Sequence, residues 1–480
     1  MNIPDILFAF PYELSNMGIL DILYENKNTV DIQTLLRDTN INADITTTVL
    51  THDKLMDACA LDRIMTGMNV NHDTLPTIII NHTLNKNNNT AIIDAYANQY
   101  HPLYNNIVSN IAHPKFIDAV TNGMHVTEIR HTPFHTDTII NELLQTHPTI
   151  ISSVMQNLHA LTMHDCTDAI LSMCNSITKL KLNITSGITT CNSFAKTLKI
   201  LHAYGTSDIG DDGLSLCTNI EVLHATANGK ITTCDSFSQT LRVLYVSTNR
   251  DAPSGINDYG IRLCTNIEKL YACGNEYITT CAPFAKSLKL LSAPGSCAIT
   301  DSGLRQCIFI QDLNISGNMN ITTLAPFARS LRRLLADRRC GITNHSLRIC
   351  NSIEILSVDY NDRITTCAPF AKSLRVLSAN CYHDDSYGLQ CGMTDDGLRL
   401  CTNIRYLFAD NNSKITTCKP FADILRMVSA KKGCGISDDA LKVCTNIKNK
   451  DTRGNPNIVA FSGADNENIN KLSLRFFWLY

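Results

Sequence analysis

ITTCAPFAKSLKLLSA (278–293) and GINDYGIRLCTNIEKLYA (255–272) are two forms of one sentence, and they alternate along the chain from about residue 148 to 455. Each ends in a strand-like phrase: leucine or a relative, two residues, leucine, one residue, then a small apolar residue. The phrase starts at residues 158, 177, 198, 220, 241, 267, 288, 310, 331, 353, 374, 404, 425 and 447. Successive starts lie 19 to 22 residues apart, apart from two steps of 26 and 30.

A period of 20–29 residues built on this phrase is that of a leucine-rich-repeat solenoid. The expectation is an α/β fold with parallel strands on a concave face and short helices on a convex face. Each coil packs only on its neighbours, so the body grows coil by coil. Three regions follow: an N-terminal region (1–147), a solenoid of about 14 coils (148–455) and a C-terminal cap (456–480). The cap reading rests on Lys450, which stands where leucine is due, on polar GADNENIN, and on the apolar close KLSLRFFWLY with the single tryptophan, Trp478. Such a surface makes binding, rather than chemistry, the default function.

Among 480 residues the net charge is −3, so no overall field draws in nucleic acid or anionic membrane. The start, MNIPDILFAF, has no basic n-region, and no apolar run approaches the ~18 residues needed to span a bilayer. These readings predict an intracellular, cytoplasmic protein that engages neither nucleic acid nor membrane.

The 20 cysteines fall into columns. Cys174, Cys217, Cys264, Cys307, Cys350, Cys401 and Cys444 share one slot of every second coil. Cys191, Cys234, Cys281, Cys367 and Cys418 share a slot in the intervening coils, where Leu324 once takes the place. Cys297, Cys340, Cys391 and Cys434 form a third column. Members of one column lie two coils apart, roughly 10 Å, beyond the ~7 Å reach of a disulfide. A leucine stand-in marks the slot as apolar, which suits reduced packing thiols better than zinc or disulfides.

In ITTC coils the threonines are expected to cap a helical turn, with Pro283, Pro326, Pro369 and Pro420 near its first position. In the other coils Asp of DDGL or TDSGL is expected to cap its own helix. The pairs Thr218–Asn219, Thr265–Asn266, Thr402–Asn403 and Thr445–Asn446 are expected to hydrogen-bond neighbouring backbone. Alternating charges at Lys199, Glu221, Arg242, Glu268, Lys289, Gln311, Arg332, Glu354, Arg375 and Arg405 predict a ladder of ion pairs that disfavours a one-coil slip.

Residues 1–147 lack the repeat. Helical spacing in LSNMGILDILYEN, HDKLMDACALDRIM, TAIIDAYANQY, HPKFIDAVTNG and TDTIINELLQT predicts an all-α region, with 81–90 a loop. No phosphate-binding loop or nucleophile elbow is present. His131 and His135 are separated by Pro133, which disfavours a shared helix, so they read as surface histidines. Cys381, His383, Asp384 and Asp385 read as part of a protruding insertion. No cofactor, metal or catalytic residue is expected.

The partner site is expected on the concave face. Its N-terminal half carries Tyr245 and Tyr271 flanked by His202 and His224. Its C-terminal half carries an acidic column, Asp337–Asp359–Asn380–Asp410, beside Tyr406 and Phe408. Aromatic residues anchor interfaces, and an unpaired acidic column would favour a protein partner with a basic segment.

CGMTDDGLRLCTNIRYLFA (391–409) resembles the cysteine-containing repeats of F-box/LRR proteins and, more broadly, ribonuclease-inhibitor-like repeats. The mixture of coil types is similar to repeat proteins of large DNA viruses that infect amoebae. In the F-box family the repeats select a substrate, while the F-box docks a Skp1-like adaptor of a ubiquitin ligase. FPYELSNMGILDIL (10–23), within a candidate degenerate F-box at 10–40, matches the F-box opening at Pro11, Glu13, Leu14, Ile19, Leu20 and Leu23. Its Pro-to-Ile spacing is one residue too long, and the later Cys-Arg-x-Trp-like stretch is missing. Two functions follow: a non-enzymatic interaction scaffold, or the substrate-recognition subunit of an SCF-type ligase.

Overall fold

The computed structural model describes residues 107–108, 116–121, 126, 128–129, 136–163, 167–182, 187–205, 207–248, 252–381 and 390–460. The chain divides into two units, residues 1–202 with 206–209, and residues 203–205 with 210–480. The first holds β1 (Ile107–Val108), β2 (Glu128–Ile129), β3 (Ala160–Met163), β4 (Lys179–Leu182) and β5 (Ile200–Ala203), whose last residue opens the second unit. β1, β2, β3 and β4 pair in parallel in that order. Helices Phe116–Thr121, Thr136–Thr146 and Pro148–Asn157 lie between the strands, and Ile140, Ile151 and Met155 are buried.

The helices match two of the sequence-predicted segments. β1 and β2 correct the all-α reading for residues 107–129: they are strands. Two-residue strands leave no alternating pattern to read, and pairing onto β3 defines them. The three earlier helical segments, the 81–90 loop, the F-box-like residues Pro11, Glu13, Leu14, Ile19, Leu20 and Leu23, and residues 461–480 of the expected cap lie outside the described residues.

The second unit holds the leucine-rich-repeat coils from β6 onward, while the strands of the coils starting at residues 158, 177 and 198 are β3, β4 and β5 of the first. Its strands are β6 (Val222–His224), β7 (Val243–Tyr245), β8 (Lys269–Tyr271), β9 (Leu290–Ser292), β10 (Asp312–Asn314), β11 (Arg333–Leu335), β12 (Ile355–Ser357), β13 (Val376–Ser378), β14 (Tyr406–Phe408), β15 (Met427–Ser429) and β16 (Asn449–Asp451). They pair in parallel, each with the next. The central residues are in register, Leu223, Leu244, Leu270, Leu291, Leu313, Leu334, Leu356, Leu377, Leu407 and Val428, until Lys450 ends the column.

Opposite the sheet, the ITTC coils make single 3₁₀ turns such as Ala282–Phe284 and Ala325–Phe327, with proline in the first turn. The other coils make single α-turns such as Asp395–Leu398. Phe237, Phe284, Phe327, Phe370 and Phe421 point inward and are fully buried. Burying each contributes about 1.5–3 kcal/mol. The turn stays this short because Leu288, four residues after Phe284, must already start the next strand; its N–H bonds to the Phe284 carbonyl at 3.0 Å.

None of the 18 described cysteines is paired in a disulfide, and 16 are buried. Two columns interdigitate: Cys234 hydrogen-bonds Cys264, Cys281 bonds Cys307, Cys367 bonds Cys401 and Cys418 bonds Cys444. Burial pushes Cys297 and Cys340 up to about 11 and Cys434 up to about 12, so the thiolate that exchange or metal binding needs is suppressed.

The coil corners carry most of the polar structure. Asn228, Asn275, Asn318, Asn361, Asn412 and Asn455 are buried. Their Nδ2 groups donate to the carbonyls of Ala203, Val246, Ala293, Ala336, Ala379 and Ala430, one coil back, over 2.6–2.9 Å. Their Oδ1 atoms accept the N–H two residues on, at 2.8–3.1 Å.

On the convex side the aspartates do not cap their own turns. The side chain of Asp211 reaches the next coil, accepting from the N–H of Thr232 (2.8 Å), the hydroxyl of Thr232 (2.5 Å) and the N–H of Thr233 (3.1 Å). Asp258, Asp301 and Asp395 repeat this on Thr279–Thr280, Thr322–Thr323 and Thr416–Thr417. The expected self-capping is thus a cross-coil staple, favoured because three donors converge there while a one-turn helix offers few. The second threonine does cap, with Thr280 accepting from the N–H of Ala282 at 3.1 Å. Asn266, Asn403 and Asn446 donate to the preceding coil, as expected. The charge ladder forms too: Glu268 lies 2.7 Å from Arg242 and 2.8 Å from Lys289, and Glu354 3.3 Å from Arg375. Each exposed pair contributes a few tenths of a kcal/mol.

Two outcomes are expected from this architecture. Removing the double coil 278–320 joins Tyr277 to Ile321 in register and should leave a shorter cooperative solenoid in circular dichroism melts; removing 278–288 alone should collapse the transition. Asn318→Ala strands two buried N–H groups and two carbonyls, and should cost on the order of 3 kcal/mol in denaturant titrations.

Candidate interaction surface

Parallel strands place like positions of successive coils ~4.8 Å apart, so the concave side chains are first of all each other's neighbours. In the N-terminal half this produces an aromatic stack. Ring centroids of Tyr204 and His224 lie 5.3 Å apart, of His224 and Tyr245 4.6 Å, and of Tyr245 and Tyr271 4.2 Å, the last pair nearly coplanar at 2°. His224 is therefore a member of the strip, not a flank of it, and His202 belongs to the first unit. Tyr271 is only 8% exposed. One face is taken by Tyr245 inside the stack, so little of the ring is left to protrude as the expected anchor.

The acidic column is corrected more strongly. Asp337 accepts from the Ser357 hydroxyl, the N–H of Asp359 at 2.9 Å and the Ser316 hydroxyl at 3.3 Å. Asp359 accepts from the Ser378 hydroxyl at 2.7 Å and from the N–H and Nδ2 of Asn380 at 2.8 and 2.9 Å. Asn380 Oδ1 then accepts the N–H of Asp410 at 2.7 Å. Asp410 takes the Ser429 hydroxyl at 2.6 Å and the Lys431 ammonium at 3.0 Å. The column is a polar zipper between coils, so its attraction for a basic segment is largely consumed within the chain. The serines two positions into each strand were the visible sign of it.

Burial, and then the neighbouring Asp337 charge, push Asp359 up to about 7 against the hydrogen bonds that oppose the shift. Phe408 is a buried member of a cluster with Val376 and Met427, with Ile355 and Tyr406 packed against it. It fills the space beside Ser378 and Ser429, its register partners, and this removes it from the exposed anchors. Tyr406 stays half-buried.

A feature absent from the sequence expectations lies where the chain leaves the C-terminal strands. A cavity of about 490 Å³ is lined by Tyr360, Asn380, Cys381, Asp410, Asn411, Lys431, Lys432 and Arg453. Two residues past the small apolar residue of most strands the chain turns through the left-handed region. Glycine holds this slot at Gly205, Gly274, Gly295, Gly317 and Gly454, and alanine once at Ala227, but the larger Arg338, Tyr360, Asn411 and Lys432 hold it toward the C-terminal end, with φ of 54–60°. A non-glycine residue there costs on the order of 1–2 kcal/mol, less for asparagine. Three of these four side chains line the cavity. Below it, Asp451 is fully buried between Arg453 (2.7 Å) and Lys431 (3.6 Å); burial raises its carboxyl, and these cations outweigh that and hold it below the usual range.

His131, His135, His383, Asp384 and Asp385 lie outside the described residues. No known protein-family model matches the chain, and no curated protein matches it. Among solved structures it is similar to an internalin, InlF, from Listeria monocytogenes, at 20% identity and a TM-score of 0.42, covering 58% of this chain and 82% of that one. It is also similar to the complex of Rad7 and Elc1 in yeast, at 13% identity and a TM-score of 0.36, covering 64% and 85%.

The position of Asp359 sets a pH dependence. Its folded pKa of about 7 exceeds the unfolded carboxylate value of 3.8, so its contribution is full at low pH and is lost as pH rises through 7. Denaturant midpoints should therefore fall between pH 5 and pH 8, and Asp359→Asn should flatten that slope. An unchanged slope in the variant would remove Asp359 as the titrating group.

Proposed function

We propose that the chain is a non-enzymatic interaction scaffold in which the C-terminal part of the concave face, centred on the cavity between Tyr360 and Arg453, receives a segment of a protein partner. The carrying observation is the strained slot: side chains replace glycine at Tyr360, Asn411 and Lys432, where they line the cavity. Strain of this kind persists where surrounding structure holds a residue for use. Lys431, Lys432 and Arg453 outnumber Asp410 and Asp451 around the site, and among the described residues Lys432 has no ion-pair partner. An acidic side chain of the partner therefore fits better than the basic segment expected from sequence, with Tyr406 on the strand leading into Asp410 as an apolar contact.

Affinity capture from a lysate followed by mass spectrometry, then binding measurements on the recovered partner, tests this reading. Tyr406→Ala should weaken binding by about 1–2 kcal/mol. Lys432→Glu should slow association, most at low salt. If both variants bind every recovered partner as the parent does, while substitutions at Pro11 and Leu20 abolish capture of a Skp1-like adaptor, the working surface is the N-terminal region and the chain is a ligase substrate receptor.

A further inference from the structure

The convex flank carries a second periodic surface. Most coils of the DDGL type end their turn in a basic residue, an apolar residue and cysteine: IRLC (261–264), LRIC (347–350), LRLC (398–401) and LKVC (441–444). The cysteine is buried, but the apolar residue before it faces solvent. Leu216, Leu263, Ile349, Leu400 and Val443 are 46–59% exposed. In LRQC (304–307) the slot holds Gln306, and Ile308 and Phe309 just beyond it are exposed instead, at 53% and 48%. Every second coil from Leu216 to Val443 thus shows apolar surface that the core does not use. Isolated exposed leucines need no explanation, but a row in one slot of five out of six coils, with the sixth exposing Ile308 and Phe309 beside it, does.

Cations occupy the same flank. Arg348 and Arg399 precede row residues, Arg305 precedes Gln306 in the same slot, and Lys286, Arg329 and Lys372 come from the intervening coils. Their placement is fixed by the serine that follows each of the latter three: Ser287, Ser330 and Ser373 donate to the carbonyls of Thr265, Ile308 and Asn351 at the adjoining corner of the preceding coil. All six are exposed, and among the described residues none has an ion-pair partner.

We infer that this flank docks an acidic amphipathic α-helix lying along the stack. Charge complementarity selects acid, since six unpaired cations line the middle of the row. Spacing selects a helix. Two coils advance about 10 Å, at ~4.8 Å per strand, and seven residues of an α-helix advance about 10.5 Å. A helix with an apolar residue at every seventh position therefore meets the row at each step, with its acidic positions facing the cations between. The row spans ten coil steps, on the order of 48 Å, or about 30 helical residues. A lipid surface offers no such period.

The test uses the full chain and a synthetic helix of about 30 residues, leucine at each seventh position and glutamate beside it, read by fluorescence anisotropy. Binding should weaken with salt. It should fall at least about tenfold in Arg348→Glu/Arg399→Glu and in Ile349→Ser/Leu400→Ser, whose exposed sites leave the melting transition in place. A peptide of equal composition with leucine at every fifth position should bind no better than the variants. Tyr406→Ala should not change the affinity, which separates this surface from the concave one. Equal binding of the two peptides, equal binding by parent and variants, or no binding overturns the inference, as does binding confined to phosphatidylserine vesicles or lost through self-association of the chain.

Discussion

Everything in the solenoid depends on satisfying the backbone where each coil turns. A coil of about 21 residues cannot close its own hydrogen bonds: strand, corner and single turn leave N–H and carbonyl groups pointing at the neighbouring coil. Each such group left buried and unpaired costs about 1–3 kcal/mol. The ladder asparagines answer this on one corner because asparagine carries donor and acceptor on one short side chain. Asn318 ties the carbonyls of Ala293 and Cys297 to the N–H groups of its own turn. On the convex side a carboxylate suffices, because the two threonines ahead supply only donors. Where Asn344 replaces aspartate, its Nδ2 donates to the Thr365 hydroxyl, so the hydroxyl reverses its role and the staple survives.

The same geometry places glycine. In the DDGL turn a Cβ at Gly303 would stand 2.1 Å from the Thr279 carbonyl oxygen, and at Gly397 2.0 Å from that of Thr365. The third residue of the turn presses on the stapled threonines, so staple and turn are one unit. In the Asn344 coil Ser346 takes the slot and uses its hydroxyl to donate to the Thr322 carbonyl at 2.6 Å. A side chain is tolerated there when it supplies a hydrogen bond.

What could be read from sequence follows from this division. The leucine column, the inward phenylalanines, the packing cysteines and the Arg242–Glu268–Lys289 pairs are set by burial and by like positions meeting across parallel strands, and both leave a period. The ladder asparagines also keep a 43-residue period from 275 to 318 to 361, yet in GN and YN pairs they resemble ordinary turn residues. The aspartates were legible as hydrogen-bond acceptors but not in their direction, since the donors they meet lie 21 residues on. The concave site was the least legible part. Asp359 and Tyr271 look exposed in a strand-by-strand reading, and only the coil beside each shows that Asn380 or Tyr245 occupies the surface a partner would need.

That self-pairing governs where a partner can bind. On a flat run of identical coils, side chains ~4.8 Å apart neutralise or stack on one another before any ligand arrives. Binding capacity then concentrates where the repeat is broken or doubled. It is broken at the C-terminal strand ends, where tyrosine, asparagine and lysine take the glycine slot and the insertion between β13 and β14 lengthens one coil step to 30 residues. It is doubled on the convex flank, where two coil types alternate and apolar residues recur about every 10 Å, too far apart to cover one another. Stacking a single coil type would have brought those leucines within contact distance and buried them along the stack. The two-coil repeat keeps them apart, and so keeps them available.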